Sequence, residues 1–321
     1  MFLALAGGVG GAKLARGLVQ VLAPEDLLIV VNTGDDFEHL GLHVSPDLDT
    51  VIYTLAGREN PKTGWGLAGE TWQFMDALAN LGGETWFQLG DRDLATHVER
   101  TRRLHTGDTL SQVTEDFCRC FGIAHPVAPM TEDRFRTIVE TDIGRLTFQD
   151  YFVRHKGAPK VREITFDGQD AAKPNPAFRD TLQSDDLSGI ILCPSNPFLS
   201  IMPILAVPGV RRALEQRRAP LVAISPIIGG KALKGPAAEV MRGLGHDASA
   251  AGVAEVYGGL LDGLVIDTVD AQAAVVIERD GPRVMVTDTV MRNVGDSARL
   301  AKQAVTFAHS LSPRAVRPDS S

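Results

Sequence analysis

The chain of 321 residues has only three cysteines, Cys118, Cys120 and Cys193. They are too few and too oddly spaced for a disulfide framework or a zinc site, and Cys118-x-Cys120 is not the redox spacing. It also lacks an excess of basic residues. Lysine and arginine number 32 against 40 acidic residues, a net charge of −8, which argues against a nucleic-acid-binding surface. No apolar run approaches the roughly 18 residues of a membrane span. The start has no basic segment before its apolar run, so no signal peptide is read and a cytoplasmic location is expected. Internal repeats and low-complexity segments are missing as well. The two common phosphate fingerprints are also missing. A P-loop needs Ser or Thr after its lysine, and Lys13 is followed by Leu14. The dinucleotide pattern needs a third glycine where Lys13 stands.

What is present begins with the first thirteen residues. Phe2 to Ala6 is an apolar run long enough for one buried strand, and Leu14, Leu18 and Val21 or Leu22 then recur at helical spacing. Between them lie Gly7, Gly8, Gly10, Gly11 and Lys13. Glycine allows positive φ and close backbone approach, and the following helix turns free N–H groups and its positive dipole end toward the turn. The reading is strand, glycine-rich turn and helix, forming a phosphate cradle of another kind.

Leu27 to Val31 is a second buried strand, ending in Asn32-Thr33-Gly34-Asp35-Asp36. Two such strands joined by a helix make a right-handed βαβ unit, whose strand-end loops share one crevice. Ser45-Pro46-Asp47-Leu48-Asp49-Thr50 reads as a loop before a helical run from Thr50 to Leu55. Asp35, Asp36, Asp47 and Asp49 fall within fifteen residues. Mg²⁺ takes one or two carboxylates plus substrate phosphates, so this cluster beside a phosphate cradle points to a divalent cation. Asp47 also reads as a cap or turn residue, and Asp49 as a possible helix cap.

Residues 60–125 read as a mostly helical insertion. Thr137 to Val153 reads as a hairpin and Val161 to Phe166 as a further strand, a small antiparallel element. The α/β pattern resumes with strands at 189–193 and 221–224. Their ends carry Ser195 and Asn196, then Gly229, Gly230 and Lys231, toward the same crevice. Strands at 263–266 and 284–286 and a helix at 297–308 complete the chain, and 314–321 reads as a loose tail. The expectation is one α/β domain over residues 1–321, a Rossmann-like three-layer parallel sheet.

In this order the glycine-rich start, Asn32–Asp36, Ser45–Thr50, Leu89-Gly90-Asp91-Arg92-Asp93, Pro194–Pro197 and Ser225–Lys231 resemble the signature of the 2-phospho-L-lactate transferase family, CofD. A sister group, CofD-like proteins that bind nucleotide-sugars, shares the glycine-rich start, but its second motif differs from Asn32-Thr33-Gly34-Asp35-Asp36. The resemblance implies a phosphotransferase for substituted phosphate groups in coenzyme F-420 biosynthesis. The acceptor is the deazaflavin Fo. The donor is guanosine diphosphate carrying phospholactate, phosphoenolpyruvate or a related acid, GMP is released, and Mg²⁺ is required. It also implies a homodimer without nucleic-acid or membrane partners. Gly7, Gly8, Gly10, Gly11, Lys13, Ser195, Asn196, Gly229, Gly230 and Lys231 would then hold the donor. Asn32, Thr33, Asp49 and Gln88 would meet Fo, Gln88 standing where the family has a basic residue. Asp35, Asp36 and Asp49 would hold Mg²⁺, with Asp36 and Asp49 in the reaction.

Overall fold

The computed structural model describes residues 1–313, apart from the side chain of Asp280; the expected loose tail lies outside the described residues. Seven strands form a parallel sheet. In chain order they are β1 (Phe2–Ala6), β2 (Leu27–Val31), β5 (Val127–Pro129), β9 (Gly189–Leu192), β10 (Leu221–Ile224), β13 (Gly263–Asp267) and β14 (Arg283–Thr287). Across the sheet the order is β14-β13-β10-β9-β1-β2-β5. β1 and β2 are buried along their whole length, which is why they read as unbroken apolar runs rather than as alternation.

Helices cover both faces. On one lie α1 (Gly8–Leu18), α2 (Pro46–Leu55) and α12 (Val294–Ser310), packed against Phe2, Ala4 and Ala6. On the other lie α6 (Pro176–Leu182), α7 (Met202–Ala206), α8 (Val210–Gln216), α9 (Ala237–Gly243), α10 (Ala250–Tyr257) and α11 (Ala274–Asp280), around Leu3 and Leu5. Three helices stand between α2 and β5: α3 (Gln73–Asn80), α4 (Asp91–His105) and α5 (Leu110–Cys120). Thr109 opens α5 with a capping box to Gln112.

The antiparallel parts are small. β6 (Arg136–Thr141) pairs with β7 (Gly144–Thr147) and β8 (Val161–Asp167). The expected second arm of that hairpin ends early, because residues Asp150–Arg154 coil into a π-turn. β3 (Phe37–His39) and β4 (Leu42–Val44) form a short hairpin after β2, and β11 (Ile227–Ile228) and β12 (Lys231–Ala232) another after β10. Among the described residues no single helix is long and apolar enough to cross a membrane.

The chain leaves β1 toward β2 and β5, then returns to β9 on the other side of β1 and proceeds outward to β14. The strand order therefore reverses between β1 and β9. In open parallel sheets the ligand crevice lies at this point, beyond the C-terminal ends of the strands.

Candidate active site at the strand ends

Gly7 follows β1, and the next loop across the switch point carries Ser195. The Gly7 N–H donates to Ser195 Oγ at 3.1 Å, and that hydroxyl donates to the Gly7 carbonyl at 2.8 Å. The glycine run differs from the expected turn, since α1 begins at Gly8. A Cβ on Gly10 would lie 2.1 Å from the Pro194 carbonyl oxygen, and one on Gly11 would lie 2.5 Å from Ser195 Oγ. These two glycines let α1 press against the β9 loop and do not leave space for a ligand. Gly7 is likewise filled, by Asp47 and Ser200. Of these four glycines, Gly8 alone combines a positive φ, +60°, with open surroundings.

Asp47 sits over this glycine. Its Oδ1 accepts the Gly8 N–H at 2.8 Å and its Oδ2 accepts from Asn32 Nδ2 at 2.9 Å. The sequence reading placed Asp47 in the aspartate cluster and also gave it a cap or turn role; α2 starts at Pro46 and carries Asp47 in its first turn. Asn32 Oδ1 accepts the Gly34 N–H at 2.8 Å, which folds the loop after β2 around the same spot. Asp35 is buried beside Asp47 with its Oδ1 unpartnered. Burial, then the Asp47 charge, raises its carboxyl well above the ordinary range. Burial likewise pushes Asp47 up to about 6, against the pull of its Asn32 and Gly8 bonds. Asp36 Oδ2 accepts from Ser45 Oγ at 2.8 Å and lies 3.1 Å from His43 Nε2, while its Oδ1 has no partner. The Thr33 hydroxyl is buried and unpartnered nearby in sequence.

Three buried carboxylates in one crevice, two with an orphaned oxygen, are costly unless a cation joins them. The donor set is all oxygen, which suits Mg²⁺. These residues fit the metal that the family resemblance implies.

Asp49 belongs elsewhere, which corrects its expected grouping with Asp35 and Asp36. It does not cap α2. Both its oxygens are held by the guanidinium of Arg100 on α4, Nη1 reaching Oδ2 at 3.1 Å and Nη2 binding Oδ1. His97 Nδ1 lies 3.7 Å from Asp49 Oδ2, and His97 Nε2 lies 3.3 Å from Asp93 Oδ2. The Tyr53 hydroxyl lies 2.7 Å from Asp93 Oδ1. Asp49, Asp93 and His97 bring ligand atoms together as a metal site would. The Arg100 charge already occupies that position, so a second cation is disfavoured.

Other expected donor contacts also move. Gly229 and Gly230, at φ +56° and +76°, form the two-residue turn between β11 and β12, as such hairpins require. The Gly229 N–H is taken by the Asp270 carboxylate, and Lys231 is exposed. Asn196 caps the following turn, its Oδ1 accepting from the Phe198 and Leu199 N–H groups, while its buried Nδ2 has no partner. Gln88 is exposed and folds back onto the Thr85 carbonyl at 2.7 Å. Its neighbours Trp86 and Phe87 stack edge-on with Phe37 and His39 of the β3–β4 hairpin, an aromatic wall near Asp36 in the chain.

Lys13 is half-buried along α1, donating to the Met291 carbonyl at 2.9 Å. Burial, with Lys234 and Arg16 nearby, lowers its ammonium below the ordinary value. Lys234, three residues after Lys231, donates to the Thr63 carbonyl at 2.7 Å. A Cβ on Gly64 would lie 2.7 Å from Val9 and 3.0 Å from Lys234 Nζ. The loops around 63 and 234 therefore close over the start of α1 and bring the Lys234 ammonium near that of Lys13. Neither ammonium forms an ion pair among the described residues.

Residues 2–303 match the sequence profile described as 2-phospho-L-lactate transferase CofD. A protein of Streptomyces griseus named phosphoenolpyruvate transferase is 43% identical over 96% of this chain and 98% of its own. One of Methanocaldococcus jannaschii named 2-phospho-L-lactate transferase is 37% identical over 96% of this chain and 98% of its own. A crystal structure from Bacillus halodurans, a member of the UPF0052 family, superposes with a TM-score of 0.64 over 95% of this chain and 98% of that one. At 15% identity that likeness shows the fold alone. The chain belongs to the 2-phospho-L-lactate transferase CofD family.

Proposed function

We propose that the protein transfers a phospho-acid from a guanosine diphosphate-linked donor to the terminal ribityl hydroxyl of the deazaflavin Fo, releasing GMP, in coenzyme F-420 biosynthesis. The observation that carries this reading is the set Asp35, Asp36 and Asp47 beside the open Gly8 position in the switch-point crevice. Phosphoryl transfer needs positioning and charge neutralisation more than covalent help from the protein. Lys13 and Lys234, with the N-terminus of α1, hold the donor diphosphate. Asp35 and Asp47 hold Mg²⁺, which supplies charge neutralisation at the phosphates.

Asp36 is fixed through Oδ2 by Ser45 and His43, which leaves Oδ1 to orient the acceptor hydroxyl. The hydroxyl oxygen forms a bond to the phosphorus bearing the acid. The bond from that phosphorus to the bridging oxygen breaks, and GMP leaves with that oxygen. The hydroxyl proton passes to Asp36 Oδ1. The aromatic wall of Phe37, Trp86 and Phe87 offers faces and edges for a planar ring, and it supports a deazaflavin as acceptor.

Similarity is higher to the relative named for phosphoenolpyruvate, which supports the enolpyruvyl donor as the first to test. The test is incubation with Fo, Mg²⁺ and each guanylated donor, following GMP release and the mass of the deazaflavin product. The expected result is equimolar GMP and phospho-acid-bearing Fo. Tight nucleotide binding with no transfer from either donor would contradict the reading and favour a nucleotide-sugar-binding role.

A further inference from the structure

We propose that Asn32 is a positioning residue for the metal: its amide holds the Asp47 carboxylate in one plane without cancelling its charge. The inference rests on the metal-assisted transfer read above and adds the residue that prepares the site for the cation.

Asn32 follows β2 and has no exposed surface. The family resemblance sets it against the acceptor, but it lies inside the junction of β1, α2 and the loops after β2 and β9. Its N–H donates to the Ala6 carbonyl at the end of β1, at 3.0 Å. Its Oδ1 accepts the Gly34 N–H at 2.8 Å. Its Nδ2 donates to the Leu199 carbonyl at 3.3 Å and to Asp47 Oδ2 at 2.9 Å. These partners decide which end of the amide is which. The Gly34 N–H can only donate and the Leu199 carbonyl can only accept, so the NH₂ group is the one that meets Asp47.

That bond matters because a carboxylate turns easily. The last torsion of aspartate is broad and lacks sharp staggered wells. One hydrogen bond, from the Gly8 N–H to Oδ1 at 2.8 Å, leaves the group free to swing about that contact. A second bond on the other oxygen fixes its plane. Mg²⁺ demands near-ideal octahedral geometry, so a ligand held before the ion arrives loses less freedom on binding it.

Both donors are also neutral. A carboxylate offers about four lone-pair sites, so two such bonds leave acceptor capacity and the full negative charge for a cation. Asp35, buried with its Oδ1 unpartnered, is the second acid beside it. Asp49, two residues further along α2, shows the alternative. Its partner is the Arg100 guanidinium, which supplies the countercharge itself. An amide orients Asp47 and leaves that countercharge to the metal.

Asn32 also closes a turn through Gly34, and Asn32→Ser separates this structural task from the positioning one. Serine closes the same turn, more weakly, but is too short to reach Asp47. Mn²⁺ binding by metal-free protein is read by EPR, without substrate, for wild type, Asn32→Ser, Asp47→Asn and the double variant. Thermal melts in EDTA accompany each. Asn32→Thr, whose methyl fills more of the space, goes through the same measurements, with the same result expected. Asn32→Ser should melt cooperatively and bind Mn²⁺ about 10- to 100-fold more weakly, the usual loss when the group that orients a metal ligand is removed. Added to Asp47→Asn, it should change Mn²⁺ affinity by less than about twofold, because Asn32 acts through that carboxylate. Wild-type affinity in the serine and threonine variants, or the same loss repeated in the double variant, would overturn the assignment and leave the metal site standing. A wild-type protein that binds no Mn²⁺, or an Asp47→Asn protein that binds it as well as wild type, would overturn the metal reading and this inference with it.

Discussion

Asp47 and Asp49 stand two residues apart on α2 and are about equally buried, at 6% and 5% exposure. Their surroundings are opposite in kind. Asp47 meets the Gly8 amide, the Asn32 amide and another acid, Asp35. Asp49 meets a guanidinium on both oxygens, with His97 behind it. One set of buried carboxylates has its guanidinium countercharge, with His97 Nε2 left unpartnered, and the other has unpartnered oxygens and mutual repulsion. Burying an unpaired charge costs several kcal/mol, so the incomplete set is where an outside cation and substrate belong. Neither residue type nor burial separates the two sets; the missing countercharge does.

The largest expected effect is at Asp36. Asp36→Asn keeps an oxygen for Ser45 but removes the acceptor that takes the hydroxyl proton. Turnover should fall about 100- to 1,000-fold, with an unchanged melting midpoint. A fall of less than about tenfold would put the proton acceptor elsewhere.

Asp35→Asn sharpens the contrast through pH. The folded carboxyl of Asp35 lies above its unfolded value, so the folded state holds that proton more tightly. Raising the pH from about 4 through the folded value therefore costs the metal-free wild type stability that Asp35→Asn retains. In EDTA the variant should gain on the wild type between pH 5 and pH 8 in urea melts. Mg²⁺ should narrow that gap by stabilising only the wild type. A gap that ignores both pH and Mg²⁺ would remove Asp35 from the metal site.

The smallest effect is expected in the complete set. Tyr53→Phe deletes the hydroxyl that bridges Asp93 and Thr96. It should cost about 1 kcal/mol of stability and leave turnover alone. A large loss of rate with no loss of stability would make this network part of the chemistry.

Much of the frame was legible. Buried parallel strands write themselves as short apolar runs, so β1, β2, β9 and β10 stood out, and with them the crevice at their ends. The aspartate cluster was legible as a group but not as two groups. Its division depends on where α2 begins. Reading the helix from Thr50 leaves Asp47 and Asp49 in a loop. Starting it at Pro46, a favoured first position, sets them about 200° apart around the axis, one toward Gly8 and one toward α4. Arg100 and His97 sit in α4 at ordinary helical spacing from Asp93, and nothing local ties them to Asp49, 51 residues from Arg100. Gly10 and Gly11 carried the opposite ambiguity. A glycine that admits a ligand and one that admits a neighbouring loop look the same in sequence, and here Pro194 and Ser195 occupy the space.

The most direct test is Asp49→Asn, read for stability and turnover in the same preparation. Asparagine keeps the size and one acceptor but leaves Arg100 buried without its countercharge. The division into a complete and an incomplete set predicts a stability loss of about 3–5 kcal/mol, with turnover per folded molecule close to wild type. Near-native stability with turnover down about a hundredfold would contradict that division and return Asp49 to the acceptor site.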